Sequence, residues 1–413
     1  MESKYFDLTN SQKRIWYTQK IYLNSSMFNI GGKVQIHGNI DVKKLCQAIK
    51  IVIDNNDSLS IKFVEKDEQI FQYFSSEKCK TIDYIDFSQE CDPERSFEQW
   101  YKKGAETPLT IDKNELYYFA VYKIRDGEYG YFTKVHHIVA DGWSMQLFVH
   151  QVTGIYESLV KEETLNFRKA PSYLEFIETE REYLNSSKVE KNRKFWMEKL
   201  KNLPELPPIN NEIDGKRKHF YMNEDETKAI KKFCKDNNIS LNTFFITLYL
   251  MYVYKMTGQK DILISNPVMG RTKKVGMNTF GMGVNSLILR FAINEEYTIL
   301  QTIKYVLNEV KRCFINQRYP YNYILKDLSS SLKKYVKLYN TCINYYNTKL
   351  PLNICGIPID NMEFYNGQQE YSLQLIIREW LDHDKLQIDF DYKISEYTDI
   401  MIEICIALLE SLL

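Results

Sequence analysis

Two runs rich in aromatic and β-branched residues, Leu116–Ile124 and Glu128–His136, are separated only by Arg125-Asp126-Gly127. That spacing joins two antiparallel strands through a tight turn, because glycine supplies the positive φ that hairpin turns need. The second run gives way within eight residues to a helical repeat. After a cap expected at Ser144, residues Phe148, Val152, Ile155 and Leu159 fall on one stripe. A hairpin feeding an amphipathic helix calls for a sheet with helices packed on a face. Asp41 is expected to cap another such helix, with Leu45, Ala48, Ile49, Val52 and Ile53 at helical spacing.

The second half of the 413-residue chain repeats this style. From about 166 to 211 the pattern is charged and helical, anchored by Trp196 and Leu200. Pro204, Pro207, Pro208 and the polar stretch to Lys218 are expected to form a surface connector. Ser240 is expected to cap a long apolar helix ending near Gly258, with a strand at Asp261–Asn266. Strand-like runs recur at Val284–Phe291, Tyr339–Tyr346, Tyr371–Trp380 and Leu386–Tyr392, and a helix runs from Thr398. Two α/β lobes with mixed sheets fit this order better than one doubly wound sheet, and the length allows two or three domains.

Charge excludes some partners. Lys+Arg and Asp+Glu both number 54, so no long-range positive field exists to hold nucleic acid. The longest apolar stretch, near Phe244–Tyr254, is interrupted by Thr247 and too short to span a bilayer, so the chain is not expected to be transmembrane. Residues Met1–Tyr5 lack a secretory apolar core. The eight cysteines are scattered with no Cys-x-x-Cys pair, so reduced cytoplasmic thiols are expected rather than a zinc site or a redox dithiol.

Of six histidines, His136 and His137 are adjacent at a strand end, four residues before Asp141-Gly142. Alternation along a strand sends the two rings to opposite faces, so only one can face a given cavity. For the same reason the pair cannot hold one metal ion, and His-Glu-x-x-His is absent. Gly142 is expected to let the chain turn sharply and bring a backbone N–H close to a ligand. The free N–H groups of the next helix point to the same place and suit developing negative charge.

The run His136-His137-Ile138-Val139-Ala140-Asp141-Gly142 resembles the His-His-x-x-x-Asp-Gly motif of the condensation domains of nonribosomal peptide synthetases. Chloramphenicol acetyltransferase shares a shorter form. The resemblance extends in order along the chain. Leu8-Thr9-Asn10-Ser11-Gln12-Lys13-Arg14-Ile15-Trp16-Tyr17 is similar to the opening motif of that family. Tyr173-Leu174-Glu175-Phe176 stands where Tyr-x-Asp-Phe is expected, with Glu for Asp. Pro267-Val268-Met269-Gly270-Arg271 resembles Pro-Val-x-x-Arg, and Phe280-Gly281-Met282-Gly283-Val284-Asn285-Ser286 resembles Gly-x-Phe-Val-Asn-Thr, with Gly283 for the usual Phe. Asn316-Gln317-Arg318-Tyr319-Pro320-Tyr321 and Ile343-Asn344-Tyr345-Tyr346-Asn347 resemble two later motifs. The Arg-Ile-Trp-Tyr opening, Asn278–Met282 and Arg318–Asn322 are most similar to starter domains, which attach a fatty acyl group to the first amino acid of a lipopeptide.

The resemblance implies two chloramphenicol-acetyltransferase-like lobes in a V-shaped pseudo-dimer, 1–170 and 171–413, with His137 midway along a channel between them. It implies a monomeric, amide-forming acyltransferase with no bound cofactor. Its substrates would be thioesters on coenzyme A and on the phosphopantetheine arms of carrier proteins. A peptidyl carrier protein would present the amino acid, and acyl-CoA or an acyl carrier protein would donate the acyl group. His137 is implied as the catalytic ring, either as general base or in positioning the amine, with His136 beside it. Gly142 would serve backbone geometry and oxyanion contact. Asp141 and Arg271 would form a structural ion pair, and Trp143, Ser286 and Asn344 would line the substrate channel. An elongating condensation domain, a free-standing acyltransferase with a soluble acceptor, and a silent carrier-docking domain are the alternatives. Silent relatives usually lose the catalytic histidine, which this chain keeps.

Overall fold

The computed structural model of the chain describes all residues except 1–3, 78–80, 114–115, 165–168, 207, 209, 272–273, 333–336, 380–384 and 413. Cys79, Pro207 and Trp380, the last at the end of an expected strand, lie outside the described residues. The architecture is mixed α/β. The chain divides into two compact units, the first made of 1–182, 271–284 and 350–366, the second of 183–270, 285–349 and 367–413.

The first unit is built on a six-stranded sheet in the order Asn353–Ile354, Ile357–Glu363, Asn29–Ile36, Glu128–His136, Tyr117–Arg125, Asp83–Asp86. Only the last pair is parallel. The expected hairpin is present: Tyr117–Arg125 pairs with Glu128–His136, and Gly127 turns the chain with φ +78°. Two helices, Val42–Asn55 and Gly142–Val160, pack against each other. The first buries Leu45, Ala48, Ile49, Val52 and Ile53, and Asp41 caps it by accepting from the Lys44 N–H. A small sheet joins Phe6–Asp7, Gln69–Phe74 and Ile61–Lys66.

The second unit carries its own six-stranded sheet, ordered Asn285–Ala292, Asp261–Val268, Thr341–Tyr346, Leu373–Arg378, Leu386–Lys393, Gly215–Met222. Both pairings of Thr341–Tyr346 are parallel and the rest antiparallel, so the sheet is mixed. One face buries Ile343, Leu375, Ile377, Ile388 and Phe390 in a core with the apolar helix Leu241–Thr257, which Ser240 caps and Gly258 ends. The other face is polar. Asn344, Ile376, Asp389 and His219 stand in one cross-strand row. Beside them Arg378 Nε donates to Asp389 and Arg217 Nε to Asp391, at 2.7 and 2.6 Å. Buried charges persist here because each has an opposite partner.

Two expectations change. The connector expected to reach Lys218 stops at Asp214, because Gly215–Met222 is an edge strand. Its Lys216, Arg217 and Lys218 are drawn into structure by Asp399, Asp391 and Glu403. The domain boundary expected at 170/171 is not a single cut. The first unit continues to Glu182 and takes back two later segments, one held by Arg271 and one added as a strand beside Asn29–Ile36.

Candidate active site

The strand Glu128–His136 ends on a ring that faces inward. His136 is 1% exposed, and burial, with the neighbouring His137 second, pushes its pKa down to about 3. Its Nδ1 accepts the Ile138 N–H at 3.1 Å, so the proton sits on Nε2 and goes to Gln19 Oε1 at 3.3 Å. Gln19 holds that orientation because its own amide donates to the Tyr22 carbonyl at 2.6 Å. His136 is therefore a neutral anchor of the chain.

His137 leaves the strand and takes the opposite tautomer. Its backbone N–H donates to the Phe28 carbonyl at 2.8 Å, and its half-buried ring places Nδ1 2.7 Å from the Ala140 carbonyl. A carbonyl only accepts, so Nδ1 carries the proton and Nε2 keeps its lone pair. No described residue bonds Nε2. Burial lowers the His137 pKa; the Asp141 charge and the Ala140 bond oppose this, Arg14 adds to it, and the net shift is downward. A neutral imidazole with a free Nε2 can accept a proton.

The loop beyond His137 is tied carbonyl by carbonyl. Ile138 O accepts from Gln12 Nε2 at 3.2 Å, Val139 O from the Ser58 hydroxyl, and Ala140 O from His137 itself. Gln12 also forms a reciprocal amide pair with Gln72, at 2.9 and 3.0 Å, and Gln12, Gln72 and Ser58 are all buried.

Asp141 is 0% exposed and accepts five hydrogen bonds from described residues. Arg271 supplies two, Nη1 to Oδ2 at 2.6 Å and Nη2 to Oδ1 at 3.0 Å. The Gly283 N–H, the Ser144 N–H and the Ser144 hydroxyl supply the rest. Burial alone would raise its pKa; the Arg271 guanidinium with the Gly283 and Ser144 N–H groups outweighs burial and holds the carboxyl below the usual range. Gly281 lies beside this hub with φ +150°, where an added Cβ would stand 2.1 Å from Tyr173 Cδ2. The Tyr173 hydroxyl donates to Met282 O at 2.7 Å.

Two local expectations are corrected. The cap of the following helix is Asp141, not Ser144, because the helix begins at Gly142 and the Asp141 carboxylate reaches the N3 N–H. This frees the Ser144 hydroxyl to bond Asp141 and Gly281. Gly142 is an ordinary first helical residue and not among the glycines of positive φ. Trp143 donates its indole N–H to Met277 O at 2.7 Å.

The first unit thus gathers His136, His137, Asp141, Gly142, Trp143 and Arg271. Ser286, buried, and Asn344, half-buried, belong to the second unit. Sequence reasoning missed Gln12, Gln19, Ser58 and Ser144 as holders of the histidine loop. Thr9-x-x-Gln12 carried the signature of a capping box, which it forms, but nothing local marked the second use of the Gln12 amide. No group of three or more His, Cys, Asp or Glu among the described residues could hold a metal ion.

A family model described as the condensation domain matches residues 2–413. Surfactin synthase subunit 1 of Bacillus subtilis (strain 168) is 26% identical over 406 residues, covering 95% of this chain and 11% of the relative. A dimodular nonribosomal peptide synthase of the same organism is 23% identical over 399 residues, 95% of this chain and 17% of the relative. The chain therefore spans only a small part of the length of these relatives. Among solved structures, the starter condensation domain of rhizomide synthetase in complex with C8-CoA superposes with a TM-score of 0.86 at 23% identity, over 96% of this chain and 90% of that one. The first condensation domain of the calcium-dependent antibiotic synthetase, with a substrate analogue, gives 0.87 at 20% identity, over 99% and 96%. At those identities the structures speak for the fold.

Proposed function

Because the chain belongs to the condensation domains of nonribosomal peptide synthetases, we propose that it is an amide-forming acyltransferase that N-acylates a carrier-bound aminoacyl thioester with a fatty acyl thioester. The α-amine of the acceptor attacks the donor carbonyl, the amide C–N bond forms, the C–S bond breaks, and the thiol leaves with a proton. One observation carries the reading: the Nδ1–H of His137 is spent on Ala140 O, so Nε2 is left as a base.

Magnitudes assign the role of that base. A free α-amine has a pKa of about 7.7–8.0, so roughly a tenth is neutral near pH 7, and ground-state deprotonation costs only about 1–1.4 kcal/mol. Holding amine and carbonyl in line contributes more, up to roughly 7–11 kcal/mol. His137 therefore serves first by orienting the amine and then by taking the proton released after attack. Asp141 and Arg271 do no chemistry; they fix the helix start behind the loop. The starter-like segments around Asn278–Met282 and Arg318–Asn322 support a fatty acyl donor, as does the similarity to a starter domain solved with C8-CoA. A peptidyl carrier protein bearing the amino acid is the proposed partner, and acyl-CoA or an acyl carrier protein the donor.

Mass spectrometry of an aminoacyl-loaded carrier incubated with a panel of acyl-CoA thioesters tests this. N-acylation that disappears in His137→Ala, with carrier binding retained, is expected. Acylation at the wild-type rate by His137→Ala ends the mechanism. Turnover only with a second aminoacyl carrier as donor makes the domain an elongating one.

A further inference from the structure

We infer that Ser58 is a positioning residue for His137, selecting the tautomer that leaves Nε2 basic. This deepens the proposed function and rests on it, since the tautomer matters to catalysis only if that imidazole handles the amine.

Ser58 is 0% exposed, in the short turn Asp57–Ser60, and its hydroxyl donates to Val139 O. Val139 immediately precedes Ala140, whose carbonyl is the acceptor that holds the proton on His137 Nδ1. Fixing the Val139 carbonyl fixes the peptide plane leading into Ala140 and so the direction of the next carbonyl. Ser58 is itself held from a distance. Asp57 accepts the Tyr173 N–H at 2.9 Å and the Ser172 hydroxyl. The Tyr173 hydroxyl donates to Met282 O, and the next residue, Gly283, donates to Asp141. The contacts close a ring from Val139 through Ser58, Asp57, Tyr173 and Met282–Gly283 back to Asp141, two residues beyond Val139. The loop His137–Asp141 is thereby clamped at its middle, Val139, and at its end, Asp141, through one segment, and Tyr173, unexplained by the proposed chemistry, acquires a task. Without the Ser58 donor, the Val139 carbonyl is buried and unpaired, and the peptide gains a reason to turn. Ala140 O then swings from Nδ1, and the ring samples the Nε2–H tautomer, which cannot take a proton from the amine.

The test uses the full chain labelled with 15N-histidine. Long-range 1H–15N spectra above pH 7 read the His137 tautomer, and amide formation from C8-CoA and the leucyl thioester Leu-SNAC reads turnover. Wild type should show a single Nδ1–H species. Ser58→Ala should show a mixture, with kcat lower by about tenfold or more at little-changed KM. A pure Nδ1–H ring in Ser58→Ala, or unchanged kcat, overturns the inference. If Ser58→Ala does not fold, Ser58→Cys, near-isosteric with a weak donor, carries the test on the same two outcomes. A tautomer shift in a protein that never acylates upholds the positioning and refutes the proposed function instead.

Discussion

Replacing Arg271 by methionine strips Asp141 of two of the five hydrogen bonds it accepts from described residues, and of the one guanidinium partner among them. The side chains are 1% and 0% exposed, so the carboxylate cannot turn to water. Breaking a buried ion pair by removing one partner costs about 3–5 kcal/mol. Gly283 and Ser144 still donate, which places the expected loss near the lower figure, about 3 kcal/mol. Acid changes that loss in a defined direction. In the wild type the Asp141 pKa is depressed, so its contribution is complete above the ordinary carboxylate value and fades as pH falls through the lower folded one. In the variant, burial is opposed by less and the folded pKa rises, so protonation relieves the stranded charge and the deficit shrinks on acidification. Amide exchange at Gly283 and Ser144 measures it locally. A loss of about 3 kcal/mol is a protection factor lowered roughly a hundredfold at pH 7.5, less at pH 5, and largely restored in Arg271→Met/Asp141→Asn. Protection within threefold of wild type, or a deficit that grows as pH falls, would refute the reasoning.

Burial of neutral His136, whose folded pKa is about 3, makes stability intact above its unfolded value of about 6.5 and progressively lost below it, by about 2 kcal/mol at pH 5. The urea midpoint should fall between pH 7.5 and 5 in wild type and less in His136→Gln; equal slopes would remove His136 as the cause. Since the His137 pKa is lowered, kcat should stay level down to about pH 6.5 and drop only below it, and an acid limb centred at 7 or higher contradicts the neutral base. Gly281→Ala drives a Cβ into the Tyr173 ring at positive φ, and its Tm should fall by an amount equivalent to about 1–3 kcal/mol; a wild-type Tm argues against the packing at Tyr173.

Periodicity alone located the helix Val42–Asn55, its cap and its five buried residues, and composition located the hairpin around Gly127. Those features are local: the residues that decide them lie within one or two turns of each other. The ordered motifs likewise led to the pairing partner of Asp141 130 residues away, a long-range contact that no spacing rule contains. The rest was hidden for the same physical reason. Gln12, Ser58 and Gln19 act through backbone carbonyls and a ring nitrogen, and a buried Gln or Ser with that duty looks in sequence like any surface Gln or Ser. The cap was misplaced by three residues because Asp141 and Ser144 are both good capping types, and only the backbone tells which one is extended.

The first unit lacks the strand Ile357–Glu363 until most of the chain exists, because this partner of Asn29–Ile36 is encoded far downstream. On a ribosome adding about 5–20 residues per second, roughly 180 residues separate Glu182 from Glu363, a wait on the order of 10–40 s. Throughout that interval Asn29–Ile36, the strand next to the one bearing His136, presents an open edge that another nascent chain could pair with. Translation speed and chaperone cover over that window should therefore decide the yield of native protein. A fragment ending before residue 357 should misassemble even though it contains the whole histidine motif.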